Sequence, residues 1–121
     1  MTDKKSILVV EDEDALRDVL RLELEKIGYK VDDADDGDVA ITAIQKKHYD
    51  LVLLDILMPR VNGLDVLSFI QNQSPSTKVI MLTAMADIQH AMEAKQRGAT
   101  DFLTKPYNYD DVITRVSTLL Q

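Results

Sequence analysis

Two short apolar runs end in acid: Val9-Val10 leads into Glu11-Asp12-Glu13-Asp14, and Leu53-Leu54 leads into Asp55. Each run reads as a buried strand, so each set of carboxylates falls at the rim of a core, where an ionised group is costly. Gathering Glu11, Asp12 and Asp55 at one rim concentrates negative charge that a cation or a proton must relieve. The chemistry this suggests is a hard, oxygen-liganded divalent cation with one carboxylate left to react. Mg²⁺ suits it, with Mn²⁺ as the alternative, because Mg²⁺ is held by one or two carboxylates together with water and phosphate oxygens. Asp12 reads as a direct ligand, and the longer Glu11 as one acting through water. The backbone carbonyl of Leu57 is a further donor. Asp55 is then placed to attack a phosphoryl group and carry it as an aspartyl phosphate. Lys105 would pair with the phosphate oxygens, and the Thr83 hydroxyl would donate to them. Ala84 beside it is small enough to leave Asp55 accessible.

These residues are scattered, so a fold must collect them. Strand and helix alternate five times. Ile7 to Val10, Leu51 to Leu54, Lys78 to Leu82 and Asp101 to Thr104 read as strands, and the more polar Lys30 to Ala34 as a short peripheral one. The segments Asp14 to Ile27, Asp38 to Lys47, Leu64 to Gln71, Asp87 to Arg97 and Asp110 to Leu120 read as helices. The core stripe of the first helix is Leu16, Leu20 and Ile27, and Gly28 suits its C-terminal cap. Such alternation with short connections predicts one α/β domain over residues 1–121. Its five-stranded parallel sheet has helices on both faces, in the flavodoxin-like order 2-1-3-4-5. Sheets of this kind bind ligands beyond the C-terminal strand ends, where strands 1 and 3 part company. Glu11, Asp12 and Asp55 fall there, and Thr83 and Lys105 end the next two strands.

Composition narrows the function. Hydrophobic residues make up 45% and charged residues 29%, an ordinary globular balance. The formal charge of −7 provides no basic stripe for phosphate backbones, so this domain is not expected to grip nucleic acid. With no cysteine, disulfides and thiolate metal sites are impossible. No apolar run is long enough to span a membrane, and residues 1–6 lead directly into a strand rather than a signal segment. A cytoplasmic location is the expectation.

The combination Ile7-Leu8-Val9-Val10-Glu11-Asp12-Glu13, Leu53-Leu54-Asp55-Ile56-Leu57-Met58-Pro59, Asn62-Gly63, Thr83-Ala84, Gly98-Ala99 and Phe102-Leu103-Thr104-Lys105-Pro106 resembles the receiver domain of bacterial two-component response regulators. The segments occur in family order across essentially the whole chain. The resemblance implies that Asp55 accepts phosphate from a sensor histidine kinase or phosphotransfer protein. It implies that Glu11 and Asp12 organise Mg²⁺, that Lys105 contacts the phosphoryl group, and that the Lys105-Pro106 bond is cis. Such a protein would catalyse only its own phosphorylation and dephosphorylation. The resemblance also implies a switch in which Thr83 moves toward the phosphate and Phe102 turns inward. Helix 4, strand 5 and helix 5 would read out that change and form a homodimer surface. Two departures stand out: Glu11 replaces a frequent Asp, and Phe102 lacks the hydroxyl of a frequent Tyr.

Other readings compete. Glu11 and Asp12 could cap a helix. A haloacid dehalogenase-type phosphatase needs a second Asp two residues after the nucleophile, where Leu57 stands. A flavodoxin-type cofactor binder needs a phosphate loop where Glu11-Asp12-Glu13-Asp14 would repel it. A receiver-like interaction module that is never phosphorylated is the remaining alternative. Ala15, Val19 and Leu22 follow a helical spacing off the core stripe; they form either a kinase-docking patch or a widened core face. Leu57 and Met85 offer no polar group to orient water against the phosphoryl group, which predicts slow dephosphorylation. His48 and His90 read as helical surface residues. Asp32, Asp33, Asp35, Asp36 and Asp38 read as a solvated loop, and Met81, Met85 and Met92 as packing residues.

Overall fold

The computed structural model describes residues 4–56, 58, 61–84 and 88–121. The elements are β1 (Ser6–Val10), α1 (Asp14–Ile27), β2 (Lys30–Ala34), α2 (Gly37–Lys46), β3 (Leu51–Asp55), α3 (Gly63–Gln73), β4 (Lys78–Ala84), α4 (Ile88–Gln96), β5 (Asp101–Lys105) and α5 (Tyr109–Leu119). All strand pairings are parallel, in the order β2-β1-β3-β4-β5. This is the expected flavodoxin-like receiver architecture.

Because successive strand residues face opposite ways, the continuous apolar runs feed two cores. Leu8, Val10, Val52, Leu54, Val79 and Met81 pack with Ala40 of α2, Leu67 and Ile70 of α3 and Ala94 of α4. Ile7, Val9, Leu51, Leu53, Ile80 and Leu82 pack with Leu20 and Leu24 of α1 and with Val112 and Val116 of α5. The sheet is therefore covered on both sides, as its runs of Val, Ile and Leu require. Gly28 ends α1 at φ 111°, the left-handed region, and its N–H caps the carbonyls of Leu24 and Glu25. Among the described residues, no helix is long and apolar enough to cross a membrane.

Several sequence expectations need correction. β3 and β5 each run one residue past the expected range, so Asp55 and Lys105 are the last residues of their strands, and β4 runs on to Ala84. Helix α2 begins at Gly37, because Asp36 is its N-cap and accepts from the Val39 N–H; α3 runs two residues further, to Gln73. Ile27 is 47% exposed and leaves the core stripe to Leu16, which is partly buried, and to Leu20 and Leu24. Met92, at 60% exposed, is no packing residue. The acidic run is exposed except at Asp36, but it is not one loop: Asp32 and Asp33 lie on β2 and Asp38 on α2. Asp32 accepts from Tyr49 Oη at 2.7 Å and from Lys47 at 3.2 Å. Asp33 pairs with Arg21 of α1 at 3.2 Å, and Asp36 is buried. His48 follows α2 rather than lying within it, and its Nδ1 sits 3.1 Å from Ser74 Oγ. Leu57, Pro59 and Met85 lie outside the described residues, as do the side chains at 84 and 90.

Candidate acidic site at the carboxyl ends of the strands

Glu11 directly follows β1, and its N–H bonds the carbonyl of Ala34 at 3.1 Å, which extends the β1–β2 ladder past Val10. That ladder turns the Glu11 side chain inward, where it is fully buried. Its two carboxylate oxygens have separate donors: the Glu13 N–H reaches Oε2 at 3.1 Å and Lys105 Nζ reaches Oε1 at 2.9 Å. Arg17, one turn into α1, donates to the Glu11 carbonyl at 2.9 Å and to Asp14 Oδ1 at 2.7 Å. The chain leaving β1 is thus pinned from both sides, while Asp12 remains exposed.

Asp55 ends β3 at 5% exposed. In the β3–β4 register it stands opposite Leu82, so Thr83, the next residue of β4, borders it from the neighbouring strand. Thr83 is buried and paired in register with Thr104; Ala84 is paired with Lys105. The turn beyond Asp55 is closed by Gly63, whose N–H bonds the Ile56 carbonyl at 2.7 Å. A Cβ at Gly63 would collide with the Asp55 carbonyl oxygen, so only glycine lets α3 start this close to the end of β3.

Carboxylate oxygens of Glu11, Asp12 and Asp55 all lie within 4.8 Å of one another. Lys105 Nζ spans two of these groups, at 2.9 Å from Glu11 and 3.3 Å from Asp55 Oδ2. Burial, followed by the Glu11 charge, pushes the Asp55 carboxyl up to about 7, and Lys105 only partly offsets this. Burial pulls the Lys105 ammonium down, but its bond to Glu11 and the charges of Asp55 and Glu11 outweigh that and leave it raised. One ammonium is too little charge for three acids. An all-oxygen donor set with excess negative charge fits a hard divalent cation.

Phe102 on β5 is half-buried against the core on the α2–α4 side of the sheet. The Lys105–Pro106 peptide bond is cis. Ala15 and Leu22 are exposed on α1 and Val19 is half-exposed. Leu57, the expected carbonyl donor, is outside the described residues. Sequence reasoning missed Arg17, whose bond to Glu11 depends on where α1 starts. It also missed Tyr107, whose hydroxyl is buried without a partner among the described residues; its position two residues past Lys105 was the available signal.

The response regulator receiver domain family model matches residues 7–117. The transcriptional regulatory protein ResD of Bacillus subtilis is 38% identical over 120 residues, covering 99% of this chain and 50% of its own length. The chain thus spans about half the length of the curated relatives it matches. The receiver domain of NtrX from Brucella abortus is 37% identical at a TM-score of 0.89, covering 94% of this chain and 97% of that one. The response regulator TrrA from Thermotoga maritima, solved in complex with Mg²⁺–BeF, is 36% identical at a TM-score of 0.85, covering 95% and 98%. With five parallel strands in this order, an acidic rim at their carboxyl ends and a family match over nearly its whole length, the chain belongs to the response regulator receiver domain family.

Proposed function

We propose that residues 1–121 form a receiver that takes a phosphoryl group from the phosphohistidine of a cytoplasmic sensor histidine kinase, or of a phosphotransfer protein, onto Asp55. The observation that carries this is the convergence of Glu11, Asp12 and Asp55 within 4.8 Å, with Lys105 bonded to two of them. A carboxylate oxygen of Asp55 attacks phosphorus, the P–N bond breaks, and the electron pair and a proton end on the imidazole. Only the ionised form attacks, so the raised Asp55 pKa must be brought down for reaction near neutral pH. Glu11, Asp12, Asp55 and the Leu57 carbonyl are the residues that would hold Mg²⁺. When bound, the cation supplies positive charge that lowers the Asp55 pKa and screens the phosphoryl oxygens. The Mg²⁺–BeF ligand in TrrA, at 36% identity, supports that assignment.

Lys105 exchanges its carboxylate partners for phosphoryl oxygens, and the Thr83 hydroxyl donates to the same group. Phe102 then moves inward as Thr83 leaves its resting place, a two-state packing change biased by roughly −1.5 to −2 of new charge. The surface of α4, β5 and α5 carries the change outward and forms the dimer contact. Ala15, Val19 and Leu22 on α1 dock the kinase. The chain itself turns over no substrate beyond its own phosphoryl group. Mass spectrometry after incubation with acetyl phosphate and Mg²⁺ tests the proposal. One added phosphoryl group, lost in Asp55→Asn, is expected. No addition to the folded parent would leave an interaction module that is not phosphorylated.

A further inference from the structure

The loop from Ala34 to Gly37 touches both arms of the acidic rim. On one side the Ala34 carbonyl accepts the Glu11 N–H at 3.1 Å, so the loop is bonded to the backbone that carries Glu11 and leads into Asp12. On the other side Gly37, the buried first residue of α2, meets Val61 of the turn between β3 and α3. A Cβ built on Gly37 would lie 2.6 Å from Val61 Cβ, 2.7 Å from the Val61 carbonyl oxygen and 2.9 Å from Val61 Cγ1. Val61 stands two residues before Gly63, whose N–H holds the Ile56 carbonyl at 2.7 Å and whose own Cβ would strike the Asp55 carbonyl. Ile56 is fixed to β4 in turn, its N–H donating to the Leu82 carbonyl at 3.0 Å. Asp36 is buried and caps α2 by accepting the Val39 N–H at 3.1 Å, which anchors the loop between its two contacts. Gly37 does not have the positive φ of Gly28 and Gly98. Its backbone therefore accepts alanine, and an open site would favour it, because alanine has the higher helix propensity. What glycine supplies here is the missing side chain.

We propose that Gly37 is a positioning residue for the acidic site: the loop from Ala34 to Gly37 braces the Glu11–Asp12 arm against the Asp55 arm and sets the gap that a divalent cation enters. The inference rests on the divalent-cation reading above. Carboxylate oxygens of the three acids gather within 4.8 Å of one another. A side chain at position 37 lengthens the brace. Val61 must retreat from α2, Gly63 moves with it, and the end of β3 is drawn away from Glu11 and Asp12. The obstacle cannot swing aside, since the Val61 Cβ and carbonyl are fixed to the backbone and the side chain packs against the core. Mg²⁺ demands oxygens at about 2.0–2.1 Å in a near-ideal octahedron, whereas Ca²⁺ takes them at about 2.3–2.6 Å in looser arrangements. A wider gap therefore penalises Mg²⁺ more than Ca²⁺, which a simple loss of stability would not.

Titrations of the metal-free protein with Mg²⁺ and with Ca²⁺, followed by amide NMR shifts, test this. The proteins compared are the parent, Gly37→Ala, the double variant Gly37→Ala/Val61→Gly, and Gln45→Gly, a lesion at an exposed position near the other end of α2. Gly37→Ala is expected to bind Mg²⁺ about tenfold more weakly, with the loss for Ca²⁺ smaller by at least roughly threefold. Adding Val61→Gly removes the Cβ and Cγ1 overlaps and leaves the carbonyl one, so part of the Mg²⁺ affinity returns. Gln45→Gly weakens α2 without touching the brace and keeps the parental preference between the cations. Unchanged Mg²⁺ affinity in Gly37→Ala overturns the inference, as does an equal loss for both cations. If Gly37→Ala does not fold, the double variant carries the test: it retains the carbonyl overlap, so a parental cation preference in it, or its own failure to fold, overturns the inference. If the parent binds neither cation, the divalent-cation reading fails and this inference falls with it.

Discussion

Asp55→Asn should stabilise the metal-free protein at alkaline pH. Burial and the neighbouring Glu11 charge move the Asp55 carboxyl from 3.8 to about 7. At 1.36 kcal/mol per pH unit, holding it ionised in the folded chain costs up to about 4 kcal/mol. That cost is already net of the attraction of Lys105, so the gain at pH 8 is up to about 4 kcal/mol. The raised pKa means the folded chain holds the Asp55 proton where the unfolded chain has already lost it. That preference supports folding fully below pH 3.8 and is lost as pH rises through about 7. The advantage of the asparagine variant should therefore shrink to roughly a third by pH 5 and nearly vanish by pH 4. Urea unfolding in EDTA at pH 4, 5 and 8 measures it. An Asp55→Asn protein no more stable than the parent at pH 8, or a gain undiminished at pH 4, would refute the argument that charge crowding strains this site.

Lys105→Met removes the cation that spans Glu11 and Asp55; in EDTA at pH 8 it should lose about 2 kcal/mol, with a smaller loss at pH 5, where Asp55 takes up a proton. Gly63→Ala drives a methyl into the Asp55 carbonyl; a loss of about 1–3 kcal/mol by urea unfolding, together with weakened Mg²⁺ affinity by titration, is expected. Tyr49→Phe deletes the 2.7 Å bond to Asp32 at a cost of about 1 kcal/mol. The Tyr49 bond, ahead of Lys47, holds the Asp32 carboxyl below its usual range, so folding gains from it above that range and loses the gain as pH falls through the lowered pKa. The Tyr49→Phe deficit should therefore shrink in acid, as melts at pH 7 and pH 3 would reveal.

Much of the architecture was legible because it rests on local pattern. The runs Ile7 to Val10 and Leu51 to Leu54 are too apolar for a one-sided strand, and the 3.6-residue spacing in Asp14 to Ile27 admits only a helix. Short alternating elements then leave few topologies open. The acids Glu11, Asp12 and Asp55 were legible for the same reason: strand ends at the switch point lie together once the sheet order is known. The misreadings concern residues whose environment is made by distant chain. Ile27 fits the apolar period, yet it is 47% exposed while Leu24 in the same turn is buried, so the face that meets the sheet is decided by packing rather than by period alone. Asp32, Asp33 and Asp36 look alike in sequence, but a tyrosine and lysine, a pair of arginines, and a helix N-terminus each took one of them.

What the sequence by itself determined is the order of the elements and the acidic chemistry gathered at their ends, because apolar period and residue type are properties of short segments. Only the tertiary structure decided which partner each polar group received. Lys105 chose Glu11 and Asp55 over solvent, Arg17 took the Glu11 carbonyl, and Tyr107 was left with no partner among the described residues. Those choices depend on strand register and on a few ångströms of approach between segments 50 and 94 residues apart, distances that no local pattern encodes.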